Sequence, residues 1–180
     1  MQLTEHFGLE ELCASETATR MGIDNVPTDD DVKRLTCTAR GLENVRVLLG
    51  APILVLSGLR VLELNAVTGG AMTKEALESV FNDTQLDEVR EVCKIRLRKG
   101  DYGTSISQHV RGESANWHAP KFGTPLKICR AIESSDLRFD QLIYEYTWVH
   151  TSFVDYREPR REVLTKQRGK GYTAGLPAAE

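Results

Sequence analysis

Two histidines sit where metal chemistry could be built. His109 lies in Ser107-Gln-His109-Val-Arg-Gly112-Glu-Ser-Ala-Asn116, and His150 closes Trp148-Val-His150. One ligand from a loop, a second from a strand seven residues on and a third from a neighbouring strand hold zinc with three protein groups and leave the fourth position to water. Zinc lowers the pKa of that water to about 7 and polarises a scissile carbonyl. Spacing alone does not decide the matter. The two histidines are 41 residues apart, and structural or solvated histidines have the same look. Cys13, Cys37, Cys93 and Cys129 form no Cys-x-x-Cys pair. They read as buried free thiols, not as a four-cysteine zinc site.

The elements that must position these groups can be read from pattern. Leu9–Ala14 reads as a short helix. Thr28 caps a strong helix, with Asp31 as acidic capping partner. Val32, Leu35, Ala39, Leu42, Val45 and Leu49 recur at steps of three and four, and Gly50 ends the run. Pro52–Leu56 reads as a short buried strand and Leu59–Val67 as a brief helix ending at Gly69-Gly70. Thr73 and Thr84 are plausible caps, with helical turns around Leu77, Val80 and Phe81. Cys93–Arg98 alternates like a strand with a basic outer face. Ser107–Gly112 is a loop or short helix, Glu113–His118 a strand, and Pro125 the first position of a helix. Phe139–Tyr146 and Trp148–Phe153 form an antiparallel hairpin. Beyond Tyr156 the apolar periodicity fades. Residues 157–180 read as a basic, glycine-rich, flexible arm, with Arg157, Arg160, Arg161, Lys166, Arg168 and Lys170 against Glu158, Glu162 and Glu180.

Composition excludes several classes. The chain has 180 residues, 41% hydrophobic and 27% charged, enough to fold around a core without disulfides. Its net charge of −3 argues against a general nucleic-acid binder. The longest uncharged run, Val47–Leu59, is too short to span a bilayer. With Glu5 early and no apolar stretch before Arg20, the sequence opens without the pattern of a signal peptide, so synthesis in the cytoplasm is expected.

Several motifs, in order, resemble one family. Leu3-Thr-Glu-His-Phe-Gly-Leu-Glu-Glu-Leu12, Thr17–Asn25, Pro52–Arg60, Leu64-Asn65-Ala-Val67, the His109 loop, Phe139-Asp-Gln-Leu-Ile-Tyr-Glu145 and Trp148-Val-His150 are similar to small, often phage-encoded zinc D-Ala-D-Ala carboxypeptidase-like proteins of the Hedgehog/D,D-peptidase fold. The resemblance covers roughly residues 3–70 and 105–154. It implies an α+β fold, a small antiparallel sheet with flanking helices, over residues 1–156. The insertion at about 71–104 and the arm at 157–180 are additions to it. It also implies zinc held by His109, position 116 and His150, and hydrolysis of peptidoglycan peptides. In the family pattern Ser-x-His-x-x-Gly-x-Ala-x-Asp the last ligand is Asp; this chain has Asn116. A neutral amide is a much poorer zinc ligand than a carboxylate. His118, on the same strand face as Asn116, is a possible substitute.

The resemblance implies a role for Arg60 on a substrate carboxylate; a structural Arg paired with a buried acid is the other reading. Glu145 is the candidate general base, or a strand carboxylate paired with Arg60. Around Arg60 the family's Ser-Gly-Tyr-Arg-Ser-Pro has become Ser57-Gly-Leu-Arg-Val-Leu62. Two functions are therefore expected. One is a zinc metallopeptidase acting on peptidoglycan peptides. The other is a catalytically inactive copy serving as a structural component of a phage head or tail, associated with the virion and meeting other virion proteins through residues 71–104 and 157–180.

Overall fold

The computed structural model describes residues 1–81, 106–167 and 171–178. The expected Thr84 cap, the strand over Cys93–Arg98 and most of the insertion lie outside them. Three helices open the chain: α1 (Leu9–Cys13), α2 (Glu16–Met21) and α3 (Asp29–Leu49). The capping signals act as read. The Thr28 hydroxyl accepts from Asp31 N–H while the Asp31 carboxylate accepts from Thr28 N–H, and Gly50 adopts the left-handed conformation that closes α3. Next come β1 (Leu54–Ser57), α4 (Leu62–Val67) and α5 (Lys74–Glu78), the last capped by Thr73. A 3₁₀ turn, Gln108–Arg111, leads into β2 (Ser114–His118). After α6 (Pro125–Glu133), capped by Thr124 with Pro125 at its first position, follow β3 (Gln141–Tyr144), β4 (Val149–Ser152), β5 (Glu162–Gln167) and β6 (Gly171–Ala174).

The chain thus has an α+β fold; among the described residues six strands form one sheet with flanking helices, in the order β1-β2-β4-β3-β5-β6. Every neighbouring pair is antiparallel except β3 and β5. Two expectations are corrected. Pro52–Leu56 was expected as a buried strand; β1 lies at the sheet edge, with Leu54 and Leu56 each 49% exposed. A continuous apolar run does not distinguish a central strand from an edge. Residues 157–180 were expected as a flexible arm; within them β5 and β6 extend the sheet.

Strand alternation divides the sheet into two faces. One, with Ala115, Trp117, Leu142 and Val149, packs on Leu35, Ala39, Leu42 and Val45 of α3 and Ile128, Cys129 and Ile132 of α6. This is the main core. The Trp117 indole N–H, buried here, donates to the Thr151 hydroxyl at 2.8 Å. A smaller cluster joins Ala18, Ile23, Leu64, Val67, Met72, Leu77 and Phe81. The other face carries Asn116, His150, Ile143 and Leu164, which line a cavity.

Candidate functional site

Register brings the polar residues together. Asn116 of β2 lies directly opposite His150 of β4, and Ile143 of β3 opposite His150 on the other side. His109 reaches the same point from the 3₁₀ turn. That turn is closed by Gly112 at φ 68°, whose carbonyl accepts the buried Thr38 hydroxyl of α3 at 2.8 Å. A β-carbon at Gly112 would sit 3.1–3.2 Å from Leu35 and the Asp31 carbonyl, besides forcing a side chain into the left-handed region.

His109, Asn116 and His150 are all buried. His109 Nδ1–H donates to the Gly58 carbonyl at 2.6 Å. That fixes the ring's tautomer and leaves Nε2 facing the site. Asn116 Oδ1 lies 3.2 Å from His109 Nε2 and 2.8 Å from His150 Nδ1. The ring centroids are 5.1 Å apart, nearly edge to face at 69°. Burial, with Arg60 nearby, pushes both imidazoles toward the neutral form, His109 well below its ordinary value and His150 to about 3. The His150 charge adds to the effect on His109, and the Lys166 charge to that on His150.

Hydrogen-bond arithmetic then fixes what Asn116 does. A neutral His109 has its one N–H on Gly58, so Nε2 presents a lone pair. An amide NH₂ carries two hydrogens and can donate to both imidazole lone pairs. As placed, Oδ1 accepts from the Nδ1–H tautomer of His150 and faces the His109 Nε2 lone pair; with the amide turned over, its NH₂ would donate to both rings of a neutral trio without any cation. An aspartate there would set a carboxylate against a lone pair, an arrangement that needs a metal ion or a proton between the groups. Asparagine thus suits the metal-free cluster, and aspartate the metal-bound one.

The cavity around this trio has a volume of about 380 Å³. Arg60 and Glu145 line it, as the sequence suggested, together with Gln108, Trp148, Gln141 and Arg160. Arg60 Nε donates to the Ser57 hydroxyl at 2.9 Å. Among the described residues no carboxylate comes within ion-pairing distance of Arg60, so the expected alternative of an Arg60–Glu145 pair is not formed. His118 is not among the cavity-lining residues, and no contact ties it to either ring. Sequence reasoning missed the Gly58 carbonyl and the contribution of β5 and β6, whose Leu164, Lys166 and Tyr172 also line the cavity. Alternating Val163-Leu-Thr-Lys-Gln167 before Gly171-Tyr-Thr-Ala174 was the available strand signal. The described thiols do not line this cavity: burial pushes Cys13 and Cys37 up to about 11 and Cys129 to about 12; Cys93 lies outside the described residues.

The decisive comparison is with sequence families. The peptidase M15 family matches residues 5–100, more than half of the chain. The chain belongs to the peptidase M15 family. The match ends before the 3₁₀ turn, so the three ligand positions rest on the motif resemblance and on the convergence just described. No curated protein matches the chain. Among the described residues no group of three His, Cys, Asp or Glu side chains could hold a metal ion, since the third member of the trio is Asn116. This donor set is weaker for zinc than one with a carboxylate: two imidazoles and a neutral amide oxygen offer no negative charge, and Arg60 adds a positive field. Among the described residues, no helix is long and apolar enough to cross a membrane.

Proposed function

We propose that this peptidase M15 chain binds the peptide part of peptidoglycan in the His109–His150 cavity and, with Asn116 between the rings, holds that peptide without cutting it. The observation that carries the reading is a neutral Asn116 amide between two buried imidazoles that burial pushes toward the neutral form, beside an Arg60 with no carboxylate within ion-pairing distance among the described residues. The guanidinium is free to take a peptide's terminal carboxylate in a bidentate grip. With its NH₂ turned toward the rings, the amide would saturate both imidazoles where a hydrolase would hold its metal. A silent copy of this kind suits a component of a phage head or tail, with other virion proteins as partners. A second reading, a zinc D,D-carboxypeptidase, is favoured by the placement of both Arg60 and Glu145 on the cavity wall.

The two readings separate on zinc content and D-alanine release. After dialysis against a zinc-containing buffer, the purified chain should retain well under one zinc per molecule. It should bind a peptide ending in D-Ala-D-Ala, by calorimetry, without releasing D-alanine. Asn116→Asp should raise zinc affinity by at least ~100-fold, the upper end of what losing a ligand's hydrogen-bond partner costs. Stoichiometric zinc in the unaltered chain, with D-alanine release, would overturn the binding reading in favour of the peptidase.

A further inference from the structure

The cavity's cations are not equally engaged. Arg160 is committed elsewhere: it pairs with Asp140 at 2.7 Å and Glu162 at 3.0 Å. Among the described residues the Arg60 guanidinium is hydrogen-bonded through the Ser57 hydroxyl, and burial lowers its pKa against the opposing charge of Glu145. Lys166, on β5, has no carboxylate partner among the described residues. Its ammonium donates to the Tyr172 phenol oxygen at 3.2 Å and sits 5.0 Å from the centre of that ring. Tyr172 belongs to β6, directly opposite Lys166 in the ladder. The hairpin therefore aims and steadies a charge that nothing in the described chain neutralises. Against Arg60 and Lys166 the cavity wall offers one unpaired carboxylate, Glu145.

Two further atoms have no partner. The Trp148 indole N–H and Gln108 Oε1 are buried and make no hydrogen bond among the described residues, and both residues line the cavity. Buried polar groups seldom stay unmatched, and a small shift of either side chain would offer a ligand's peptide group a donor or an acceptor. A volume of about 380 Å³ falls in the range of small-molecule sites, roughly 300–1,000 Å³.

We propose that Lys166, steadied by Tyr172, is a specificity-determining anchor for a second carboxylate on the bound peptide, separate from the terminal one taken by Arg60. This rests on the peptide-binding reading above. The preferred ligand is then a short peptide bearing an acidic side chain in addition to its C-terminus. Lys166 lines the cavity while exposed to solvent, so its contribution is modest and falls with added salt.

The test uses the full chain and two pentapeptides, both ending in D-Ala-D-Ala and identical except at the third residue. One carries lysine there and the other diaminopimelic acid, which adds a single carboxylate. Calorimetry at low ionic strength should show the second peptide bound about threefold to fivefold more tightly. Lys166→Gln should bring that ratio to about one, and Lys166→Arg should retain it. Circular dichroism would verify the fold of both variants. A ratio of one in the unaltered chain, or a ratio that survives Lys166→Gln, overturns the role of Lys166 and leaves peptide binding standing. Failure to bind either peptide overturns both.

Discussion

Two buried polar clusters lie close together, and the chain has satisfied them in opposite ways. Around Asp140, whose carboxylate is fully buried, charge is met with charge. Arg157 donates through both terminal nitrogens at 2.6 and 2.9 Å, Arg160 through its backbone and guanidinium, and Gln108 through its amide at 2.9 Å. Burial alone would raise the Asp140 pKa; these hydrogen bonds outweigh it and hold the group well below the usual carboxylate range. Around Asn116 no member is charged at neutral pH, and a neutral amide sits between the two imidazoles. The lesson concerns solvation. A buried carboxylate is stable where two guanidiniums can reach it. A carboxylate between two neutral imidazoles, with a third cation left unpaired nearby, is stable only if something positive joins it. By having asparagine at position 116, this chain removes that requirement.

The largest effect is expected in the ionic cluster. Asp140→Asn leaves Arg157 and Arg160 facing a neutral group, and breaking a buried ion pair by removing one partner costs about 3–5 kcal/mol. The partly exposed guanidiniums place the loss toward the lower figure. Asp140 also accepts from Arg160 N–H, and its carbonyl accepts from Glu162 N–H, the first residue of β5. The same variant should therefore expose the β5–β6 hairpin to proteolysis. Urea denaturation with limited proteolysis measures both. A loss under about 1 kcal/mol, with the hairpin still protected, would mean that the cluster does not hold that edge of the sheet.

The second prediction uses pH to distinguish the clusters. His109 and His150 have folded pKa values below the ordinary ~6.5, so above that pH both folded and unfolded chains carry neutral rings. As pH falls below it, the unfolded chain takes up protons that the folded chain refuses. Stability should then drop by up to about 1.4 kcal/mol per pH unit for each ring. For His150 this continues toward its folded value of about 3. Asp140 is also depressed, but its contribution is intact above ~3.9 and is lost only as pH falls below that. Thermal melts between pH 8 and 4.5 should therefore report the neutral cluster, and His150→Gln should reduce the slope below pH 6.5 by about half. A slope unchanged in that variant would show that the rings are not the groups being titrated.

How much of this was legible in the chain depended on whether the signal was local. Thr28 with Asp31, Gly50, and Thr124 before Pro125 fixed helix ends because caps act within a turn. The β3–β4 hairpin could be read because its two runs are adjacent. Convergence of His109, position 116 and His150 was legible only through motif resemblance, since it depends on the pairing of β2 with β4. The order of β5 was hidden for a related reason. One of its faces meets a polar cavity, which blurs the alternation, and its anchor, Asp140, is 17 and 20 residues from the arginines that seize it. The positive charge of residues 157–161 resembled a solvated arm. It is in part the counter-charge of one buried acid.

The smallest effect is the one that tests whether the clusters are separate at all. Gln108 touches both: its amide nitrogen donates to Asp140, and His109 is its neighbour on the 3₁₀ turn. Its backbone carbonyl also accepts the Gly112 and Glu113 N–H groups that close that turn. Gln108→Met keeps length and backbone, removes one donor from Asp140 and removes the unpartnered Oε1 as well. Losing a single donor to a carboxylate that keeps both arginines should cost about 1 kcal/mol at pH 7, offset in part by relief of the unsatisfied oxygen. The slope of stability against pH between 6.5 and 4.5 should be unchanged, because neither ring loses a partner. A steeper or shallower slope would mean that the Asp140 cluster positions His109 through the turn. The ionic and neutral clusters would then be one network, and position 116 could not be understood apart from Asp140.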